Sequence, residues 1–511
     1  MNCMDSEKKI LGLNIKSAIL FFLYLLTTLV LVFCHEPWQD ELQAWCITRD
    51  LSIPEVFFRM RYEGHFALWH MLLKPFAALG APLSSMNMIS WMLCGAAAWL
   101  FLRYARMNFW IKTVFLLSCP MLYYFPVIAR PYALIPLALC FMALLYPVRL
   151  KKPCCYALAL VFLVHTHAYM EGLAGMAGLL FTIELFRHAR KRTPAERLKI
   201  LCPLGMMALG VILAFLQVIP AFGVSSVTPN SFWDIFKGNV GARFELVMKM
   251  LPGTYAFWLG RLGGFVLNSI LFYGTMLLGM VGLFFSRKKA LLMFTAAFVW
   301  QILFAVFLYP IMLQRAYLPM MVLVFCFCLP ASRKSKKAGG FLKAISGGSL
   351  AVLLLSLYTC FDTPYYVMND LTRPFSNQGQ ITYFIENSLP PDAKIVVFPP
   401  DLITGTFGAY LPGRVFHSSA DNQPFTVYLK KGKMPGKLDD NTLRKYAIGP
   451  KEFYLLFQVD ELKTYSLTDE KLRFGFRQFE VTPVFVTNPP AFFPAREDYC
   501  IFKVTPRNPG K

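Results

Sequence analysis

Apolar residues dominate the first 361 positions, in runs that approach the length of a bilayer crossing and are broken by short polar or basic connections. A crossing helix needs about 20 predominantly apolar residues. The pattern predicts about eleven spans, near 17–34, 84–102, 111–128, 131–147, 155–170, 172–186, 199–219, 262–285, 290–309, 311–329 and 342–360. Three longer stretches lie outside them, 35–83, 220–261 and 362–511. The first run has the basic start of a signal peptide. No small-x-small pattern follows it, however, and Phe33 is too bulky for a lipoprotein cleavage site before Cys34, so an uncleaved first span is expected. Beyond 361 the pattern changes. Residues 376–389 read as a helix with Ser376 as its cap, 394–398 as a buried strand, 401–411 as a helix and 414–418 as extended. Further strands are expected at 452–458, 481–486 and 499–504, with a helix near 468–478. The expected fold class is mostly α: a polytopic transmembrane helical domain over 1–361, then a soluble α/β domain over 362–511.

Charge orients this arrangement. Only 16% of the 511 residues are charged, against roughly 25% in soluble domains, and mean hydropathy is +0.49. The net charge of +22 is unevenly spread. Residues 1–361 hold 33 Lys and Arg against 13 Asp and Glu, whereas 362–511 hold 18 against 16. The positive residues gather in every second connection: Lys8, Lys9 and Lys16; Arg103, Arg106 and Lys112; Arg149, Lys151 and Lys152; the run from Arg187 to Lys199; Arg287 to Lys289; and Arg333 to Lys343. This is the positive-inside distribution. It accounts for the basic balance without nucleic acid, and predicts a multi-pass membrane protein with a cytoplasmic N-terminus and an external C-terminal domain. Most of the 13 cysteines fall in apolar runs, where Cys acts as a small hydrophobe. Cys34 and Cys46 are a weak candidate for an external pair, and no CxxC metal framework exists.

The first external stretch is where chemistry concentrates. Six of the 13 acidic residues of the membrane part lie there, Glu36, Asp40, Glu41, Asp50, Glu55 and Glu63, among seven aromatic side chains from Trp38 to Trp69. Composition alone fits an interfacial helix pair with solvated charges equally well. A second group, His165, His167 and Glu171 in LVHTHAYMEGL, ends the fifth predicted span on the same side. Ionisable groups at a membrane boundary usually face a polar cavity. On a continuous helix His167 and Glu171 would share a face, as a divalent metal pair or as a structural His–Glu hydrogen bond; two ligands are too few to define a metal site. Positive charge is scarce on the external side, so Arg130 and Arg315, each in a turn between spans, are placed to meet a lipid-linked phosphate or to snorkel to headgroups. The stretch 220–261, with Trp233, Tyr255 and Trp258, is a candidate cover for the site.

An Asp-Glu pair just after the first span (Asp40-Glu41 in QDELQAW), a later YEGH segment opening an apolar stretch (His65 in YEGHFALWHMLLKP) and the segment YFPVIARPYAL at 124–134 together resemble the GT-C superfamily. These membrane glycosyltransferases use polyprenyl-phosphate sugars and include the protein O-mannosyltransferases and the transferase that adds aminoarabinose to lipid A. YEGH and ARPYAL are similar to segments of uncharacterised bacterial relatives, and the resemblance covers residues 17–200 by motif and the whole chain by topology. The short outer loops and α/β tail resemble bacterial members of the family, which implies a bacterial plasma membrane. It implies an inverting transfer of a sugar from a polyprenyl-phosphate donor to an extracytoplasmic glycan, lipid or protein acceptor. Asp40 would be the general base, with Glu41 as its catalytic neighbour orienting acceptor or binding metal. Glu63, His65, Arg130, Tyr132 and Arg315 would contact substrate. A divalent cation is the one cofactor considered, with His165, His167 and Glu171 as its ligands. Two departures stand out: Arg130 occupies the short loop that often carries a further acid in relatives, and the usual His-Pro is His65-Phe66. The competing expectation is a transporter or flippase, which would carry ionisable residues near the midplane and often repeated halves; neither is visible here.

Overall fold

The structure, a computed structural model, describes residues 9–507 apart from 64, 191–192, 219–231, 256, 310, 312, 332–348, 399–403, 421, 425–437, 448–451, 461, 463–474 and 493–496. Among the described residues eight helices are long and apolar enough to cross a membrane, and two apolar helices are shorter. The first is α1 (Ile15–Cys34), capped by the Asn14 side chain on the Ser17 N–H. Its buried residues Ala18, Phe21, Tyr24, Thr28, Leu31 and Val32 recur at helical spacing, while Ile19, Phe22, Leu23, Leu26, Val30 and Phe33 are exposed. An exposed face this apolar suits lipid rather than water. The few polar groups on the inner face are paired, as lipid demands: Tyr24 donates to the Met121 carbonyl, and the Trp91 indole donates to Thr28 Oγ1.

Three helices, rather than an interfacial pair, fill the stretch after α1: α2 (Gln39–Asp50), α3 (Ile53–Glu63) and α4 (Leu68–Ala78). The bundle continues through α5 (Ser85–Tyr104), α6 (Phe109–Leu117), α7 (Leu134–Leu145), α8 (Pro153–Val164), α9 (Glu171–Ala189) and α10 (Pro194–Val218). Then come α11 (Val240–Tyr255), α12 (Phe257–Ser286), α13 (Lys288–Phe307), α14 (Leu318–Cys328), α15 (Ser349–Cys360) and α16 (Thr363–Thr372). Gly264, at φ 73°, interrupts α12, so its crossing part is Gly264–Ser286.

The expected third span, 111–128, is not one helix. The α6 segment ends at Leu117, a π turn covers Pro120–Tyr124, and the chain then runs irregularly to Arg130. Pro120 and Pro126 lack the N–H groups a continuous helix requires, and the irregular backbone is wholly buried in protein, where such backbone is tolerated. The last crossing segment runs Leu350–Thr372, eleven residues beyond the expected boundary at 361, because Asp362 and Pro364 start a second helix directly after the first. The cover proposed from 220–261 is described only from 232 onward, as a short 3-10 turn and α11; the side chains of Trp233, Tyr255 and Trp258 lie outside the described residues.

The tail is α/β, as expected. Helix α17 (Gln378–Ser388) precedes strands β1 (Ile395–Phe398), β2 (Phe416–Ser418), β3 (Phe453–Gln458), β4 (Phe479–Val486) and β5 (Tyr499–Pro506). Their order across the sheet is β2-β1-β3-β5-β4, with β1 parallel to both neighbours and β5 antiparallel to both of its own. Strands β1, all apolar, and β3, apolar or aromatic up to its last residue Gln458, are central and buried on both faces. The expected helix at 401–411 is one turn, Thr404–Phe407; that near 468–478 lies largely outside the described residues. The tail rests on the same end of the bundle as α2: Arg49 donates to the Gly408 carbonyl at 2.8 Å.

Candidate active site

Asp40 and Glu41 sit in the first turn of α2, where N–H groups without helical partners favour negative charge. Their fates differ. The Asp40 carboxylate is 30% exposed and meets Arg130 Nη1 at 3.2 Å. The same Nη1 donates to the Asp40 carbonyl at 3.0 Å. Asp40 and Arg130 line a recess of about 610 Å³, open mouth included, together with Gln43, Glu63, His65, Trp69, His70 and Tyr309 among others.

Glu41 is fully buried and does not line the recess. Its Oε1 accepts from the Ala129 N–H and from Asn87 Nδ2, the latter at 3.1 Å; its Oε2 meets His35 Nε2 at 3.1 Å and accepts from the Trp38 N–H at 3.2 Å. With its acceptor capacity consumed this way, the expectation that Glu41 orients acceptor or binds metal is corrected. It ties α2, which carries Asp40, to the 127–130 segment, which carries Arg130. Asn87 completes the tie by donating to the Val127 carbonyl at 3.0 Å.

Behind Glu41 the network continues. His35 Nδ1 lies 3.0 Å from Asp370 Oδ2, and the Tyr123 hydroxyl donates to the same oxygen at 2.9 Å. Burial alone would favour neutral His35, but the carboxylates of Asp370 and Glu41 outweigh it and raise its pKa to about 10. The group is therefore an imidazolium between two carboxylates. Since its folded pKa is above the unfolded value, its stabilisation is complete below about pH 6.5 and is lost as pH rises through about 10. Thermal stability should accordingly fall across that window, and a His35→Gln variant, measured alongside, should show a flatter profile.

Around the recess, Glu63 accepts from Arg59 Nε at 3.1 Å and from Gln43 Nε2 at 2.9 Å. Burial raises its pKa, against the pull of Arg59. His65 is depressed well below the usual imidazole range by burial, then by Arg130, His167 and Arg315; burial and Arg130 bring His70 down to about 3. These imidazoles are neutral at physiological pH, so the arginines carry the positive charge of the site.

A second layer adjoins the recess. Arg315 Nε donates to the Tyr132 hydroxyl at 2.8 Å, and its guanidinium lies 4.0 Å over the Tyr309 ring. Tyr132 stacks on His167 with ring centroids 4.8 Å apart, and the His65 and His167 rings are 5.7 Å apart. His167 Nδ1 accepts from the Tyr169 N–H, which places the imidazole proton on Nε2. That buried nitrogen has no partner among the described residues, which leaves its N–H free to donate to an incoming acceptor. Glu63, His65 and Arg130 thus line the recess, and Tyr132 and Arg315 stand beside it.

The metal expectation does not fit. His167 is extended, φ −165° and ψ 142°, and ends the helix before a 3-10 turn at Ala168–Met170. His167 and Glu171 therefore do not share a helical face. His165 instead pairs with the Gly210 carbonyl and packs on Phe66. Among the described residues no three His, Cys, Asp or Glu side chains are placed to hold a metal ion. Residues that sequence reasoning passed over are His35, Gln43, Trp69, His70, Tyr309 and Asp370. The i+5 spacing of His65 and His70 puts them on different faces of a helix, and both reach one recess because His65 precedes the start of α4.

No protein-family profile matches the chain, and no curated protein is significantly similar to it. Two solved structures of ArnT from Cupriavidus metallidurans do match. One, bound to undecaprenyl phosphate, is 11% identical, with a TM-score of 0.50 over 95% of this chain and 97% of that one. The other, in the apo state, is 14% identical with the same TM-score and coverage. The likeness shows a shared fold that extends over nearly the whole of both chains.

Proposed function

We propose that this chain is a membrane glycosyltransferase that moves a sugar from a polyprenyl-phosphate donor to an acceptor on the outer face of a bacterial plasma membrane. The observation that carries the reading is the juxtaposition, in and beside one recess, of a partly exposed carboxylate at Asp40 with Arg130, Arg315 and the Nε2–H of His167, which has no partner among the described residues. The shared fold with a protein solved bound to undecaprenyl phosphate supports the donor class.

The chemistry follows from the charges. The acceptor hydroxyl oxygen forms a bond to the anomeric carbon as the bond from that carbon to the phosphate oxygen breaks. The hydroxyl proton passes to Asp40, acting as general base. Both electrons of the broken bond leave with polyprenyl phosphate, whose charge falls to fixed guanidinium and imidazole donors. A single displacement inverts the anomeric centre, and no covalent glycosyl-enzyme is needed. Glu63, Gln43 and His65 line the recess where sugar hydroxyls would seek partners. No metal is required in this scheme.

Incubating the purified protein with undecaprenyl-phosphate sugars and following release of undecaprenyl phosphate tests the reading; a transporter would move the lipid and leave it intact. Arg315→Ala should raise the donor KM by roughly tenfold or more, the size expected for losing a charge-assisted contact of about 1.5–3 kcal/mol, with a smaller change in kcat. An unchanged KM would remove Arg315 from donor binding.

A further inference from the structure

The tail domain and the helix bearing Asp40 exchange hydrogen bonds in a reciprocal pattern. The first residue of α2, Gln39, donates its N–H to both carboxylate oxygens of Glu497 in the tail, at 3.1 and 3.2 Å. Conversely, Glu36, just before α2, accepts the N–H of Gly379 at 2.7 Å, and Gly379 is the second residue of tail helix α17. Each domain thus supplies a carboxylate to the open N-terminus of a helix in the other, satisfying N–H groups that have no partner within their own helix.

Both contacts are built in. Glu497 is 1% exposed, and its Oε2 also accepts from Ser376 Oγ at 2.6 Å and Gln378 Nε2 at 3.3 Å. The Asn377 N–H donates to the Glu497 carbonyl, locking the segment against the start of α17. A Cβ at position 379 would overlap Glu36 Oε1, so the close approach needs glycine there. Gln39 directly precedes Asp40.

We propose that Glu497 is a positioning residue: the tail domain clamps the first turn of α2 and so sets where the Asp40 carboxylate stands relative to Arg130. The tail is then part of the catalytic apparatus and not merely a docking module. The catalytic half of this inference rests on the proposed function; the clamp itself does not.

Hydrogen exchange on the full-length protein in lipid nanodiscs reads the clamp without any assay of transfer. In Glu497→Ala the amides of residues 39–42 should exchange faster, and in Gly379→Ala, which displaces only the Glu36 side chain, those of 378–380 should do so. Unchanged protection in either segment would overturn the reciprocal capping. In the transfer assay Glu497→Ala should lower kcat by about 10–100-fold, the scale of a small misplacement of a reacting group, and Glu497→Gln, which keeps one acceptor oxygen and the side-chain shape, by less. The donor KM should stay within about threefold of wild type, because the phosphate contacts lie on other elements. Faster exchange with wild-type kcat would refute the positioning role. If wild-type protein shows no transfer with any polyprenyl-phosphate sugar, the proposed function fails, and the exchange data still decide whether the clamp exists. If Glu497→Ala does not fold, Glu497→Gln and Gly379→Ala carry both readouts.

Discussion

Asp40→Asn should leave a folded, membrane-inserted protein whose transfer rate is lower by about 10²–10⁴-fold, the usual contribution of a positioned general base. The substitution is nearly isosteric. It keeps an oxygen acceptor 3.2 Å from Arg130 and leaves the backbone contact from Arg130 to the Asp40 carbonyl untouched. Because the side chain is 30% exposed, the lost ion pair should cost little stability, about 1 kcal/mol or less. What disappears is the capacity to take a proton. Steady-state kinetics beside a melting curve separates the two effects, and turnover near the wild-type rate would remove Asp40 from the chemistry.

Glu41→Ala should give the opposite profile, a large loss of stability. Removing this carboxylate takes one of two acceptors from the Asn87 amide, leaves the N–H groups of Ala129 and Trp38 without the oxygens they donate to, and leaves the His35 imidazolium with Asp370 alone. A buried donor left unsatisfied costs about 1–3 kcal/mol, and breaking a buried ion pair about 3–5 kcal/mol. The effects overlap and do not simply add, so a loss on the order of 3–5 kcal/mol is expected, seen as a markedly lower melting temperature or failure to accumulate in the membrane. Asp370→Ala should act in the same direction through His35 and Tyr123. A Glu41→Ala protein that melts with wild type would show that the network does not hold the α2 turn in place.

Adjacent acids with opposite roles show what a sequence can and cannot tell. Helical spans are legible because a bilayer imposes long apolar runs, and ten of the eleven predicted runs correspond to the eight long and two shorter apolar helices. The eleventh broke at Pro120 and Pro126, since hydropathy counts apolar residues but not missing N–H groups. Short motifs pointed to Asp40, His65, Arg130 and Tyr132, and the scarcity of positive charge outside the basic connections pointed to Arg315. Which of Asp40 and Glu41 faces the recess was not legible, because it depends on where α2 starts and on partners far along the chain. His35 and Asp370 are 335 positions apart, and Gln39 and Glu497 are 458 apart; no local pattern links them. The His167–Glu171 spacing presumes a continuous helix, whereas His167 uses its own imidazole to cap a new turn. Tyr309 sits in a turn whose role emerges only when Arg315 is laid across its ring.

Transfer at this site requires a lipid-linked sugar phosphate to occupy the recess beside Asp40. A density map of the protein with an undecaprenyl-phosphate sugar bound measures it directly. The predicted result has phosphate oxygens within about 3 Å of the Arg130 guanidinium or of His167 Nε2, and the Asp40 carboxylate beside the face of the anomeric carbon opposite the phosphate. Headgroup density elsewhere on the bundle, with the recess vacant and the Asp40–Arg130 pair closed, would contradict it.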